Sequence, residues 1–284
     1  MATVGRSETV AIAVMAKAPQ AGRAKTRLVP PLDPAGAAAL SAAFLRDITA
    51  NIALAGRDAP VAGAIAYAPA GTEALLSEVL APGTFLLLAD GSPPMPPRVE
   101  GIGRSLLHAV RSLLADGYRG ACVVNADSPT LPTEHLRRAA AELLAPGDRI
   151  VLGPAEDGGY YLLGVKAPHA ALFEDIAWST AAVAAQTRER ARDLGLDIVE
   201  LPPWYDVDDR ASLDRLLEEF RTPPLGAYPA PASAACLARL RISMSGRLLL
   251  TPSRKGRGDC TTSPPSPCGR GIGGGVEPHN RPPP

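Results

Sequence analysis

Apolar residues are distributed along the chain in two alternating patterns. Val10-Ala11-Ile12-Ala13-Val14-Met15 is a continuous apolar run, as expected of a strand buried on both faces. After a polar, Gly-containing loop, Ala35 to Leu54 is rich in Ala and Leu and predicts a long helix, with Asp33-Pro34 as its start signal. Strand-like runs recur at Val61–Tyr67, Thr84–Leu88, Ala121–Asn125, Arg149–Leu152, Tyr160–Val165 and Asp197–Leu201. Helical patterns lie between most of them, at Glu73–Leu80, Ser105–Asp116, Thr133–Leu144 and Ala181–Leu194, and Arg210–Phe220 closes the series. Strand–helix alternation with short links predicts an α/β fold whose mostly parallel sheet is covered on both sides. Such sheets bind ligands at the carboxyl ends of their strands, which singles out the loops to inspect.

The pattern stops at Thr222. Twelve of the 30 prolines fall in the remaining 63 residues, beside Gly-rich stretches such as Gly271-Ile272-Gly273-Gly274-Gly275. This composition buries too little apolar area to offset the entropy of ordering, so residues 1–221 are expected to form one domain and 222–284 a disordered extension. A helical pattern at Ala234–Leu250 is too weak to define a further domain.

Charge divides at the same place. From Thr222 onward there are 8 Lys+Arg against 2 Asp+Glu. Subtracting these from the 29 of each in the whole chain leaves 21 against 27 before Thr222, a net charge of about −6. An acidic body argues against a nucleic-acid binder, which needs a basic face to displace phosphate counterions. The strand-sized run Val10–Ala16 ends at Lys17, no run approaches membrane-spanning length, and no basic segment precedes a long apolar one at the N-terminus. Cys122, Cys236, Cys260 and Cys268 show no CxxC spacing, so a reducing, cytoplasmic setting is expected. His108, His135, His169 and His279 lack metal-ligand spacing, and no GxSxG is present.

Four loops at predicted strand ends carry candidate chemistry. The loop after the first strand packs Lys17, Arg23, Lys25 and Arg27 around Gly22. These cations suit a di- or triphosphate and Gly22 permits a backbone bend, although a solvated basic turn has the same composition. Asn125-Ala126-Asp127-Ser128-Pro129 ends a strand in an acid that is either a ligand for Mg²⁺ or Mn²⁺ or a cap for the next helix. Asp157-Gly158-Gly159-Tyr160 reads as a hairpin turn or as a flat surface against a sugar or phosphate, with Asp157 as acceptor or base. Asp206, Asp208 and Asp209 precede a helix whose dipole accounts for one or two of them, leaving a surplus carboxylate to face Asp127. Trp178 either lines an acceptor pocket or is a core tryptophan. Arg104, after Gly101-Ile102-Gly103, either reaches phosphates or sits at an exposed helix start.

The segments Met15–Leu28, Asn125–Pro129, Gly153–Leu162, Ala177-Trp178-Ser179-Thr180 and Tyr205–Asp208 occur in order. Together they closely resemble the radical-SAM/selenodomain-associated transferase 1 family, formerly a domain of unknown function, of the nucleotide-diphospho-sugar transferase superfamily. The resemblance spans residues 9–220 and implies a three-layer, Rossmann-like GT-A fold. It also implies a metal–nucleotide site with Asp127 and Asp206 or Asp208 on the metal. Lys17, Gly22, Lys25, Arg27 and Arg104 would bind the nucleotide. Gly158, Gly159, Tyr160, Trp178, Ser179 and Thr180 would contact substrate.

The expected function is metal-dependent glycosyl transfer from a nucleoside-diphosphate sugar to a small-molecule acceptor, with Asp157 orienting or deprotonating that acceptor. Lys25-Thr26-Arg27-Leu28 and Asp157-Gly158-Gly159 are also similar to segments of phospholactate guanylyltransferases, which makes nucleotidyl transfer the alternative. A non-catalytic nucleotide-binding module is the second alternative. The GxGxRM loop of many sugar nucleotidyltransferases is absent, and the metal motif ending in Asp127 is a single acid, not the DxD of many glycosyltransferases.

Overall fold

The computed structural model describes residues 5–240. Seven strands form one sheet: β1 (Val10–Ala16), β2 (Val61–Tyr67), β3 (Phe85–Leu88), β4 (Gly120–Asn125), β5 (Arg149–Pro154), β6 (Tyr160–Val165) and β7 (Asp197–Glu200). Their order is β3-β2-β1-β4-β6-β5-β7. β6 runs antiparallel to both β4 and β5, and the other pairings are parallel. The helices are α1 (Pro34–Ala55), α2 (Glu73–Ser77), α3 (Ile102–Ala115), α4 (Thr133–Leu144), α5 (Val183–Asp193), α6 (Arg210–Glu219) and α7 (Pro231–Arg239). The expected α/β, three-layer architecture with a mostly parallel sheet is what the chain adopts.

Side-chain size within β1 sorts the two helical layers. Val10, Ile12 and Val14 face Leu45, Ile48 and Ile52 of α1 and Leu136 and Leu143 of α4. Ala11 and Ala13 face the other way, toward Leu106, Leu107 and Val110 of α3 and Ala184 of α5. Residues of period two thus feed two separate cores, which is why the run is apolar throughout. The start of α1 is capped as expected, with Gly36 N donating to Asp33 Oδ1 at 2.6 Å and Pro34 at the first helical position.

Two expectations need correction. The packed chain continues past 221 to Leu240. Tyr228 N donates to Thr130 O, and Cys236 and Leu237 are buried beside Leu40, Phe44, Leu213 and Leu216. The buried Asp47 of α1 accepts from Ala232 N, Ser233 N and Ser233 Oγ, so it caps α7 from another helix. Proline density concealed this helix because Pro231 stands at its start, where no N–H is needed. The remainder of the expected tail, 241–284, lies outside the described residues. Secondly, α1 is long and apolar enough, by length and mean hydropathy alone, to cross a membrane. Its large apolar side chains Leu40, Phe44, Leu45, Ile48 and Ile52 are packed in the protein interior, and Asp47 and Asn51 are buried along it.

Candidate functional site

The carboxyl ends of β1, β2, β4 and β5 point to one edge of the sheet, and the β5–β6 hairpin turns there too. At that edge lies an open cavity of about 770 Å³. Lys17, Arg23, Lys25 and Arg27 line one part of it, and Asp127, Asp157, Asp206 and Asp208 another. Of the other expected residues, Gly159, Tyr160, Trp178, Ser179 and Thr180 also line it, and Gly158 does not. Tyr67, Ile102 and Ser105 also line it and had no sequence signal beyond their places at a strand end and a helix start.

The acidic side is assembled by backbone pairing. Val207 N donates to Asp127 O at 2.9 Å, and Ser128 Oγ donates to Tyr205 O at 2.8 Å. On the other flank, Trp204 N donates to Pro154 O and Glu156 N to Trp204 O. These bonds stitch the segment before α6 between the β4 end and the hairpin, carrying Asp206 and Asp208 with it. Asp209, not its neighbours, caps α6, forming a reciprocal capping box with Ser212. Nor is Asp127 a helix cap, for α4 begins at Thr133 with Pro132 at its N-cap and no side-chain cap. The bland explanations thus account for Asp209 and leave Asp127, Asp206 and Asp208 free of capping duty.

Lys25 takes a different place from the one expected. Its ammonium lies 2.7 Å from Asp127 Oδ1 and 2.8 Å from Asp208 Oδ1, and donates to Val207 O at 2.7 Å. Only 6% of the side chain is exposed. Burial opposes its charge, but Asp127 and Asp208 outweigh that and raise its pKa. Lys17, Arg23 and Arg27 are exposed and face the cavity without such partners. Gly22 has φ +75°, so it makes the bend expected, but it lies off the cavity wall. Arg104 is also off the wall, with its guanidinium donating to Gly91 O at 2.8 Å, so the structure does not bring it to the site.

The Asp157 loop is both things the sequence allowed. It is the β5–β6 hairpin turn, closed by Gly158 N to Ala155 O and by Gly159 N to Asp157 Oδ1 at 2.8 Å, and it forms part of the cavity. Trp178 is half-buried, with its indole over Gly103 and its Nε1 lacking a protein partner. Ser179 holds a left-handed backbone, φ 64°, on the same rim.

Burial, followed by the charges of Asp157, Asp208 and Asp127, raises the Asp206 carboxyl to about 7, with Lys25 opposing. Around Asp206 three further carboxylates stand against one buried ammonium, a local excess of negative charge that a hard divalent cation would relieve through carboxylate oxygens. No three His, Cys, Asp or Glu side chains converge as a ready-made cage among the described residues. Mg²⁺ commonly takes one or two carboxylates and completes its shell with substrate phosphates, and the residues present fit that mode.

Residues 49–180 match the family described as "uncharacterized protein conserved in bacteria (DUF2064)". No curated protein matches the chain. A solved structure from Desulfovibrio desulfuricans G20, provisionally named a nucleotide-diphospho-sugar transferase, is 26% identical with a TM-score of 0.66, covering 81% of this chain and 95% of that one. Glucosyl-3-phosphoglycerate synthase from Mycobacterium tuberculosis, in complex with Mn²⁺, UDP and glucosyl-3-phosphoglycerate, is 15% identical with a TM-score of 0.45, over 83% of this chain and 81% of that one. A CMP-2-keto-3-deoxy-manno-octonic acid synthetase with CTP is 11% identical with a TM-score of 0.48, over 76% and 100%. The fold is that of the nucleotide-diphospho-sugar transferases, and the first likeness supports a transferase role for it.

Proposed function

We propose that the chain is a metal-dependent transferase that takes a nucleoside-diphosphate sugar and passes the sugar to a small-molecule acceptor. The observation that carries this reading is one cavity with exposed Lys17, Arg23 and Arg27 on one part of its wall and Asp127, Asp157, Asp206 and Asp208 on another. The segments resembling the radical-SAM/selenodomain-associated transferase 1 family meet at this edge, which favours that family over a chance resemblance. The cations bind the diphosphate, with the arginines offering forked donors. Asp127, through its free oxygen, and Asp206 or Asp208 would hold Mg²⁺ or Mn²⁺, which when bound would supply charge stabilisation to the departing diphosphate. Asp157, whose second oxygen is not engaged by Gly159 N, orients the acceptor hydroxyl or takes its proton. Trp178, Ser179, Thr180 and Tyr160 border the acceptor. The setting is cytoplasmic, in keeping with Cys122 and Cys236 as buried free thiols. The chain works as one transferase body followed by a basic Pro/Gly-rich tail.

Nucleotidyl transfer is the second reading, favoured by the three exposed cations after β1, enough for a triphosphate. Incubation with nucleoside-diphosphate sugars or triphosphates, Mn²⁺ and candidate acceptors separates the readings. Release of nucleoside diphosphate supports glycosyl transfer, and release of pyrophosphate supports the alternative. Metal-dependent nucleotide binding with no turnover would leave a binding module, and no nucleotide binding at all would sink all three.

A further inference from the structure

We propose that Lys25 is a built-in counter-ion occupying the place between Asp127 and Asp208, and that it keeps a divalent cation out until phosphates arrive. The inference rests on the proposed metal–nucleotide site and deepens it.

An ammonium has three N–H donors. Lys25 has three acceptors in reach: Val207 O, Asp127 Oδ1 and Asp208 Oδ1. No donor remains for a phosphate while these bonds hold. The side chain is enclosed, with its ammonium 5.4 Å from the centre of the Phe44 ring. Lys25 also has φ 48°, a left-handed backbone uncommon outside glycine. The next turn is anchored by fully buried Leu28. The loop therefore holds a non-glycine residue in an unfavourable conformation, and the ammonium bridges two carboxylates belonging to segments far apart in the chain.

Two consequences follow from charge. The lysine keeps Asp127 and Asp208 together without metal, so the site is preassembled. It also repels a second cation and engages one oxygen of each acid, so bare Mn²⁺ binds weakly. A nucleotide brings negative oxygens that both complete the metal's shell and offset the repulsion. Metal and nucleotide thus enter cooperatively, and Lys25 is a positioning residue for the acids.

The test measures Mn²⁺ binding by electron paramagnetic resonance with neither nucleotide nor acceptor present. The expected result is weak binding by wild type, binding about tenfold or more tighter in Lys25→Met and in Lys25→Gln, and wild-type weakness in Lys25→Arg, which keeps the charge. A merely structural lysine would leave Mn²⁺ affinity unchanged or lower it in every variant, and that result overturns the proposal. Where Lys25→Met melts without a cooperative transition, millimolar Mn²⁺ is expected to restore one, and failure of both neutral variants to respond to Mn²⁺ counts equally against it. Because this readout contains no nucleotide, a wild-type protein that binds none defeats the proposed function while leaving the Lys25 result standing.

Discussion

Gly158 packs its α-carbon against the backbone of Ala181: a β-carbon there would stand 2.3 Å from Ala181 O and 2.6 Å from its Cα. Its φ of +91° independently disfavours any side chain. Ala184 N donates to Gly158 O, so the contact fixes the hairpin carrying Asp157 to the start of α5. Gly158→Ala is expected to destabilise the protein by about 1–3 kcal/mol, the scale of a strained backbone residue. It should also weaken acceptor-dependent turnover more than nucleotide binding. Thermal melting, with nucleotide titration of the folded variant, checks both.

Gly103 makes a comparable contact with Trp178, where a β-carbon would lie 2.9 Å from Cζ2 and Nε1 of the indole. Here the obstacle is a side chain that can turn, and alanine favours a helix by about 1 kcal/mol over glycine. Gly103→Ala should therefore keep its melting temperature within a few degrees while displacing Trp178 from the cavity wall. In a Trp204→Phe background, the tryptophan emission reports on Trp178 alone. An unshifted spectrum would show that the indole does not move.

The cations of the cavity should differ in their contribution to binding. Arg27→Ala and Arg23→Ala, both facing the cavity, are expected to weaken nucleotide binding by about tenfold each, or ~1.4 kcal/mol. Arg104→Ala removes a bond to Gly91 O and should leave nucleotide affinity within about twofold. Calorimetric titration of the three variants decides the matter, and an Arg104→Ala loss as large as the others would return that residue to the site.

His135 should make stability pH-dependent below neutrality. Its Nδ1 is 3.0 Å from Tyr161 Oη, and its ring lies edge-on to Trp204. Burial, then Arg138, lowers its pKa below 6.5, against a smaller pull from Glu134. A base with a depressed native pKa is neutral in both states above its unfolded value, so its contribution is full there. As pH falls below 6.5 the unfolded chain takes the proton first, and stability declines until the native pKa is passed. Urea melts across that range should show wild type losing more stability than His135→Gln. Parallel losses would refute it.

The docking of α7 should be a measurable part of stability. Asp47→Ala leaves Ala232 N, Ser233 N and Ser233 Oγ without their acceptor, a cost of about 1–3 kcal/mol for an unsatisfied buried group. A chain ended at Pro229 should melt several degrees below one ended at Leu240, since it also exposes the core around Leu40 and Phe44. Equal melting temperatures would mean that α7 contributes nothing to the body.

Period and composition by themselves determined the strand–helix alternation, the double-sided burial of Val10–Ala16, the Asp33 cap and the loops that carry chemistry. These are local properties, readable because burial repeats every two residues in a strand and every three or four in a helix. Other features depended on residues remote in sequence. Asp127 and the acids before α6 stand some 80 positions apart, and Val207 N to Asp127 O, Ser128 Oγ to Tyr205 O and the shared Lys25 ammonium join them. Lys25 looked like a phosphate ligand beside Lys17, Arg23 and Arg27. Its ammonium turned inward because two carboxylates and a carbonyl, 102 to 183 residues away, offered three acceptors at once. Arg104 was drawn off by a carbonyl, and α7 was held by a carboxylate on α1. A charged side chain goes where its partners are, and only the tertiary structure says where that is.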